Sequence, residues 1–401
     1  MAYITRIHVE QCRNVRQLDI DLSVPLPADD AGGPASARRP KFRHLILTGP
    51  NGSGKSGVLE AIRNDVSAGL VPPQGQQLSL PLIGSAPNEL TWSCDADELG
   101  KMFQRGDIIA VYLAATRRLQ RHEVPGPRRM RWKPADLRPE QHVANKFLQF
   151  LVNKRTDMAY AAEEGDHETA SRISRWFESF ERRLRQLMED EGLTIEFDRR
   201  AYSFHFRKSD GYVFGFNTLA DGHAAVLALL AELLIRVDAA QQSRNDFTLE
   251  PDGIVIVDEI ETHLHLSLQE QILPFLTDLF PRFQFLVATH SPAVIASIPN
   301  AVVYDLKKRE QALSDGFRGV RYGALMTEHF GISSEIDLDS TEKLLRLREL
   351  ARRSPRTPEE ERVFVDLAAL LSARSPTLAV EVWMAKEQLG TRGLSAAEQT
   401  R

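Results

Sequence analysis

Apolar and polar positions alternate twice near the start of the chain, through Ile4, Arg6, Ile7, His8 and Val9 and again through Leu18, Ile20 and Leu22. A period of two predicts strands over 3–10 and 15–22, joined by Cys12-Arg13-Asn14. Largely apolar runs follow at 44–48, 108–113, 254–257 and 283–288. Such short runs, rich in β-branched residues, read as strands buried on both faces. Residues 76–83 also read as a strand, and 25–40, rich in Pro, Ala, Gly and Asp, as a loop. Between 141 and 191 the period turns helical: from Ile173, the residues Trp176, Phe177, Phe180, Leu184, Leu187 and Met188 share one face. Alternation returns at 195–207 (Phe197, Tyr202, Phe204, Phe206), and Asp210-Gly211 turns into a further strand at 212–216.

From 337 onward the chain is helical and charged. Thr357-Pro358-Glu359-Glu360 is a helix start, with a capping residue, proline in the first turn and glutamate three positions on. Val363, Phe364, Leu367, Leu370 and Leu371 form its apolar stripe; a last helix, from about 377 to 389, carries Val380, Trp383 and Met384 on one side.

Composition narrows the class. The 401 residues are 42% hydrophobic and 26% charged, enough for one large domain with insertions or two domains. A formal net charge of −5 supplies no global basic field, so a nucleic-acid site would have to be a local patch. The local patch is 117–133: Arg117, Arg118, Arg121, Arg128, Arg129, Arg131 and Lys133 interleave with Trp132. Such a run binds nucleic acid through phosphate contact and stacking, or is a solvated or partner-facing loop. Cys12 and Cys94 lack metal spacing and read as free thiols in a reducing compartment. With no leader pattern at residues 1–8 and no apolar stretch long enough to span a bilayer, the expected location is cytoplasmic and no membrane partner is expected.

The chemistry begins at Gly49-Pro50-Asn51-Gly52-Ser53-Gly54-Lys55-Ser56, which fits GxxxxGK[ST] between a predicted strand and a predicted helix opening at Gly57. Gly49, Gly52 and Gly54 leave room for backbone N–H groups of the loop, with Asn51 and Ser53, to curl around phosphate oxygens. Lys55 would reach the β- and γ-phosphates and the Ser56 hydroxyl would hold Mg2+. The run 254–257 ends in Asp258-Glu259, a Walker B pattern. It places Asp258 near the metal ion and Glu259 beside the γ-phosphate, where a carboxylate can orient and deprotonate water. The run 283–288 ends in Thr289-His290-Ser291-Pro292, and His290 is positioned to bond the γ-phosphate. His263 and His265 invite a zinc reading but lack helical ligand spacing.

P-loop, Asp258-Glu259-Ile260-Glu261-Thr262-His263-Leu264-His265 and the run ending Thr-His-Ser-Pro together resemble the ABC-type ATPase heads of the RecF, SMC and OLD group. The resemblance implies an α/β fold: a P-loop ABC-type ATPase head over 1–335, with an N-terminal β-hairpin subdomain and a helical and β insertion at about 117–207. A C-terminal helical tail over 336–401 would dock a partner. It further implies ATP and Mg2+ as cofactors, and a homodimer or higher homo-oligomer with each nucleotide sandwiched between one copy's P-loop and the other's signature loop. That loop matches residues 217–223, with Leu219 and Gly222 near the partner's nucleotide. Ala220 replaces the family's serine there, and Thr218 or Asp221 are the candidates to substitute. Gln74, Gln76 and Gln77 are candidates for the family's Q-loop glutamine. OLD proteins carry a nuclease domain, but Asp337-Leu338-Asp339 lies in a polar segment and reads as a helix cap, so no nuclease activity is expected of this chain. A head with a short helical tail resembles the ATPase subunits of bacterial antiphage systems of the Septu type, which work with a nuclease effector. A DNA-repair or DNA-tracking ATPase is the alternative, with DNA reaching 117–133.

Overall fold

The computed structural model describes residues 1–25, 42–69, 89–117, 123–329, 336–353 and 355–385. The loop expected from 26, the strand expected at 76–83, the candidate glutamines Gln74, Gln76 and Gln77, and Arg118 and Arg121 lie outside the described residues. The two alternating segments pair as antiparallel strands β1 (Ile4–Cys12) and β2 (Val15–Asp21). β3 (His44–Thr48) runs into the glycine loop and helix α1 (Lys55–Gly69). β4 (Glu89–Trp92) joins the other edge of β1; its four half-exposed residues are too few to carry a period. α2 (Ala96–Arg105) is capped by Asp95 and closed by Gly106 in the left-handed conformation, and leads to β5 (Ile108–Leu113).

The expected insertion folds as α3 (Phe147–Glu163), α4 (His167–Met188) and an antiparallel sheet of β6 (Thr194–Asp198), β7 (Ser203–Arg207) and β8 (Val213–Gly215). Its aromatic side chains close the inside, Trp176 stacking on Phe180 and Phe147 meeting Phe180 edge-on. The chain then returns through α5 (Asp221–Arg244), β9 (Asp252–Val257), α6 (Leu266–Leu279), β10 (Phe283–Ala288), the short α7 (Pro292–Ile295), β11 (Ala301–Asp305) and β12 (Glu310–Leu313).

The central sheet has the order β12-β11-β3-β10-β9-β5, parallel throughout except for β12, which pairs antiparallel with β11. All five parallel strands are buried along their whole length, which is why four of them, β3, β5, β9 and β10, read as largely apolar runs rather than alternations. β10 lies between β3 and β9, so the P-loop strand and the carboxylate strand flank the Thr-His-Ser-Pro strand. All three deliver their motifs to the same C-terminal edge, where ligands of parallel sheets bind.

The small sheet β2-β1-β4 shares its core with this layer: Ile4, Ile7 and Ile20 pack with Val58 and Ile62 of α1 and with Ile254 and Ile256 of β9. Gln284 fastens the two sheets. Fully buried in β10, it accepts from Ile4 N at 2.8 Å and donates to Ile4 O at 2.9 Å and Arg43 O at 2.7 Å.

The chain divides into two compact units, Met1–Tyr322 and Gly323–Arg401, the division falling earlier than the expected 335/336. α8 (Tyr322–His329) begins at that division. In the second unit α9 (Leu338–Arg352), α10 (Pro358–Arg374) and a helix over 376–385 close around Leu347, Leu350, Phe364, Leu371 and Val382. The expected capping box forms, Thr357 and Glu360 bonding each other's backbone N–H. Asp337 caps α9 through Ser340 N, and Asp339 pairs with Lys343 and Arg374, so this DxD is spent on helix ends. Val380, Trp383 and Met384 do not enter that core: they stay 54%, 60% and 40% exposed on one side of the helix over 376–385. Among the described residues no helix is long and apolar enough to cross a membrane.

Candidate nucleotide site

The glycine loop needs its glycines. Gly49, Gly52 and Gly54 have φ of +135°, +79° and +102°, conformations that side chains resist. At Gly54 a Cβ would also stand 2.4 Å from Val15 Cγ2 and 2.8 Å from Asn14 Oδ1. The β1–β2 connection therefore packs directly against the loop: Asn14 Nδ2 donates to Gly52 O at 2.7 Å, Cys12 Sγ to Gly57 O at 3.1 Å, and Arg13 pairs with Glu60 of α1 at 2.6 Å. α1 opens at Lys55, aiming its N-terminal N–H groups into the loop. Lys55 is buried and its Nζ donates to Gly49 O at 2.9 Å and Pro50 O at 3.3 Å. Burial pulls its pKa down, opposed by the charges of Glu261, Asp258 and Glu259. Asn51 and Gly52 are exposed, and Ser53 and Ser56 half-buried, at the mouth of the loop.

β9 delivers the carboxylates. Asp258 is buried and its backbone N–H still belongs to the sheet, donating to Leu113 O at 2.8 Å. Glu259 leaves the sheet with φ +45°, a left-handed conformation costing a non-glycine residue roughly 1–3 kcal/mol. Thr262 Oγ1 donates to Glu259 Oε2 at 3.3 Å. Glu261 is a third carboxylate of the site: its side chain accepts from His290 N, and burial pushes its pKa up. His290 follows Thr289, whose N–H extends the sheet to Leu47 O at 3.0 Å. Burial and then the Lys55 charge pull the His290 pKa down, which favours the neutral ring. Lys55, Asp258, Glu259 and His290, separated by up to 235 positions in sequence, thus meet at one edge of the sheet.

Arg117 corrects the reading of 117–133 as one basic surface. It is 7% exposed and donates to the carbonyls of Asp258 (2.8 Å), Glu259 (2.9 Å) and Ile260 (3.3 Å), and to that of Ala114 (3.2 Å). Arg128, Arg129, Arg131 and Lys133 are exposed, as expected of a surface patch, and Lys146 Nζ sits 4.7 Å from the centroid of the half-buried Trp132. Asn153 of α3 pins this segment, accepting from Arg128 N at 2.9 Å and donating to Arg128 O at 2.7 Å.

The signature-loop match is placed at the start of α5. Leu219 is half-buried, and Ala220 caps the helix with no side-chain bond. Gly222 is buried, and a Cβ there would stand 2.5 Å from the His263 carbonyl oxygen. Within one chain the glycine therefore already serves close packing of α5 on the turn after β9. The Thr218 hydroxyl is engaged with the backbone of Gly215 and Asp221 is exposed. A separate apolar cavity of about 230 Å³, walled by Trp176, Phe180, Leu230, Leu234, Phe280 and Phe283, lies by the N-terminal ends of β9 and β10, away from this edge.

The residues present fit a nucleoside triphosphate with a divalent cation. Ser53 Oγ and Asp258 Oδ1 are buried at the loop and the strand end without a hydrogen-bond partner, a costly state that a phosphate or hydrated cation would relieve. Hydroxyl and carboxylate oxygens are the donors that Mg2+ takes. A P-loop strand, an intervening strand and a carboxylate-ended strand meeting at one edge define the P-loop nucleotide-binding class of α/β folds. Sequence comparisons narrow the class. The family described as "AAA domain, putative AbiEii toxin, Type IV TA system" matches residues 127–296. The Septu protein PtuA of Bacillus mycoides (strain KBAB4) is 23% identical over 82% of this chain and 44% of its own length. The retron Ec83 probable ATPase of Escherichia coli is 33% identical over 32% of this chain and 23% of its own length. The chain spans less than half the length of the curated relatives it matches. Among solved structures, the SMC head domain from Thermotoga maritima aligns over 77% of this chain and 97% of its own, with 15% identity and a TM-score of 0.36. The chain is thus similar in sequence to a Septu protein and to retron proteins described as probable ATPases.

Proposed function

We propose that this chain binds ATP and Mg2+ at the β3–β10–β9 edge and hydrolyses it. The observation that carries the reading is the convergence of Lys55, Asp258, Glu259 and His290 on that edge. Each has one task. The loop amides, Lys55 and the N-terminus of α1 hold the phosphates. Ser56 and Asp258 would hold the metal ion, which would supply positive charge to offset that of the phosphates. Glu259 takes the proton of the attacking water, and neutral His290 donates to the γ-phosphate. Two copies close around ATP, Leu219 and Gly222 of each approaching the nucleotide of the other, and hydrolysis separates them. The ATP state regulates an effector, a nuclease, in antiphage defence; the exposed Val380, Trp383 and Met384 of the second unit suit its docking. Glu259→Gln should trap the closed state. Its mass in solution is expected to double on adding ATP and to fall back on exchange for ADP. A mass unchanged by ATP contradicts the sandwich.

A second reading, a DNA-tracking ATPase, is favoured by the exposed Arg128, Arg129, Arg131 and Lys133 beside Trp132. Replacing the three arginines by alanine would then lower duplex affinity and reduce the salt slope by about 0.9 per lost phosphate contact. Unchanged binding rejects this reading.

A further inference from the structure

One buried guanidinium stands under the turn that carries the hydrolytic carboxylate. Arg117, four residues beyond the end of β5, donates to three successive carbonyls, those of Asp258, Glu259 and Ile260. Its remaining bond, to Ala114 O, fastens it to its own strand end. Three carbonyl dipoles converging on one point repel each other unless a cation sits among them. The convergence comes from Glu259, whose left-handed backbone turns the chain out of β9. Such a conformation persists only where its surroundings over-determine it. Here the surroundings are Arg117, the Ile260 N–H bond to Ala288 O at 3.2 Å, and the Thr262 contact to the Glu259 side chain. We propose that Arg117 is the positioning residue of the hydrolytic site, holding the Asp258–Ile260 backbone in the conformation that aims the Glu259 carboxylate at the attacking water.

Arginine is required by geometry. Its planar fork reaches several carbonyls from one side, whereas a lysine ammonium is a point charge on a flexible stem. The phosphate-holding groups lie on β3, its loop and α1, and none is bonded to Arg117. Loss of Arg117 should therefore spare nucleotide affinity and strike turnover.

The proposal rests on the ATPase reading, and its test separates the two. Steady-state turnover is measured for the wild type, Arg117→Ala, Arg117→Lys and Glu259→Gln, with affinity for a fluorescent ATP analogue measured on each. Arg117→Ala should lose about 100-fold in kcat, the scale of a misplaced catalytic group, with affinity within about threefold of wild type. Millimolar guanidinium, far below denaturing levels, should restore about tenfold of that loss in Arg117→Ala and nothing in Glu259→Gln. Wild-type kcat in Arg117→Ala overturns the proposal while leaving the ATPase reading intact. So does an equal loss of kcat and affinity that guanidinium does not reverse, the mark of a merely structural role. Should Arg117→Ala fail to fold, Arg117→Lys decides: about tenfold lower kcat at unchanged affinity supports the proposal, and wild-type kcat overturns it. A wild type that does not turn over ATP overturns both.

Discussion

Single residues of the site divide by how they announce themselves. Lys55, Asp258 and Glu259 are legible because their covalent neighbours define them: a glycine spacing before one, an apolar strand before the others. Arg117 and Glu261 are not, because their partners are distant in sequence. Arg117 bonds carbonyls 141 to 143 residues away, and its place in an arginine-rich run points to the wrong environment. His44 is likewise hidden. It opens the P-loop strand as a polar residue in an apolar run, yet it is fully buried and its Nδ1 accepts from Phe285 N at 3.0 Å. Burial pulls its pKa down to about 3. The unfolded chain takes up that proton near pH 6.5, so the stabilisation present above this pH is lost as pH falls toward 3, at about 1.4 kcal/mol per unit. His44→Asn, which keeps an acceptor for Phe285 N, should have a urea midpoint that falls less steeply than wild type between pH 6.5 and 4.5. Equal slopes would mean that His44 is already protonated in the fold.

At the level of elements, burial decides what the sequence reveals. β3, β5, β9 and β10 are covered on both faces and stand out as apolar runs, whereas β4 and β12 are four residues each and partly or wholly exposed. α5 is apolar nearly all round its first turns, so periodicity does not mark where it begins, at Asp221. The join between the two sheets is equally silent in the sequence, since Gln284 interrupts an apolar run as though it were out of place. It satisfies both polar groups of Ile4. Gln284→Leu would leave those and Arg43 O buried and unpaired, at a cost of at least about 3 kcal/mol in all given about 1–3 kcal/mol per orphaned group. The loss should appear as a lower denaturant midpoint at unchanged m-value; a change below about 0.5 kcal/mol would mean that the two sheets are fastened elsewhere.

On the scale of the whole molecule, the insertion is bound to the head through α5. Glu232 and Arg236 are buried there: Glu232 Oε1 accepts from Ala144 N at 2.9 Å, and Arg236 donates to the carbonyls of Leu137, Arg138 and Gln141. The helix that opens at the signature-loop match thus also carries the segment following the exposed arginines. A ligand on that segment and a nucleotide at the start of α5 would act on one rigid element. All of these roles presuppose turnover at the sheet edge. The direct test is ATP hydrolysis by the purified chain with Mg2+, compared with Glu259→Gln at matched nucleotide binding. The account predicts measurable turnover in the wild type and at least 100-fold less in Glu259→Gln, with ATP affinity kept, the scale of losing a general base. Equal rates in the two proteins would remove Glu259 from the reaction and contradict the account.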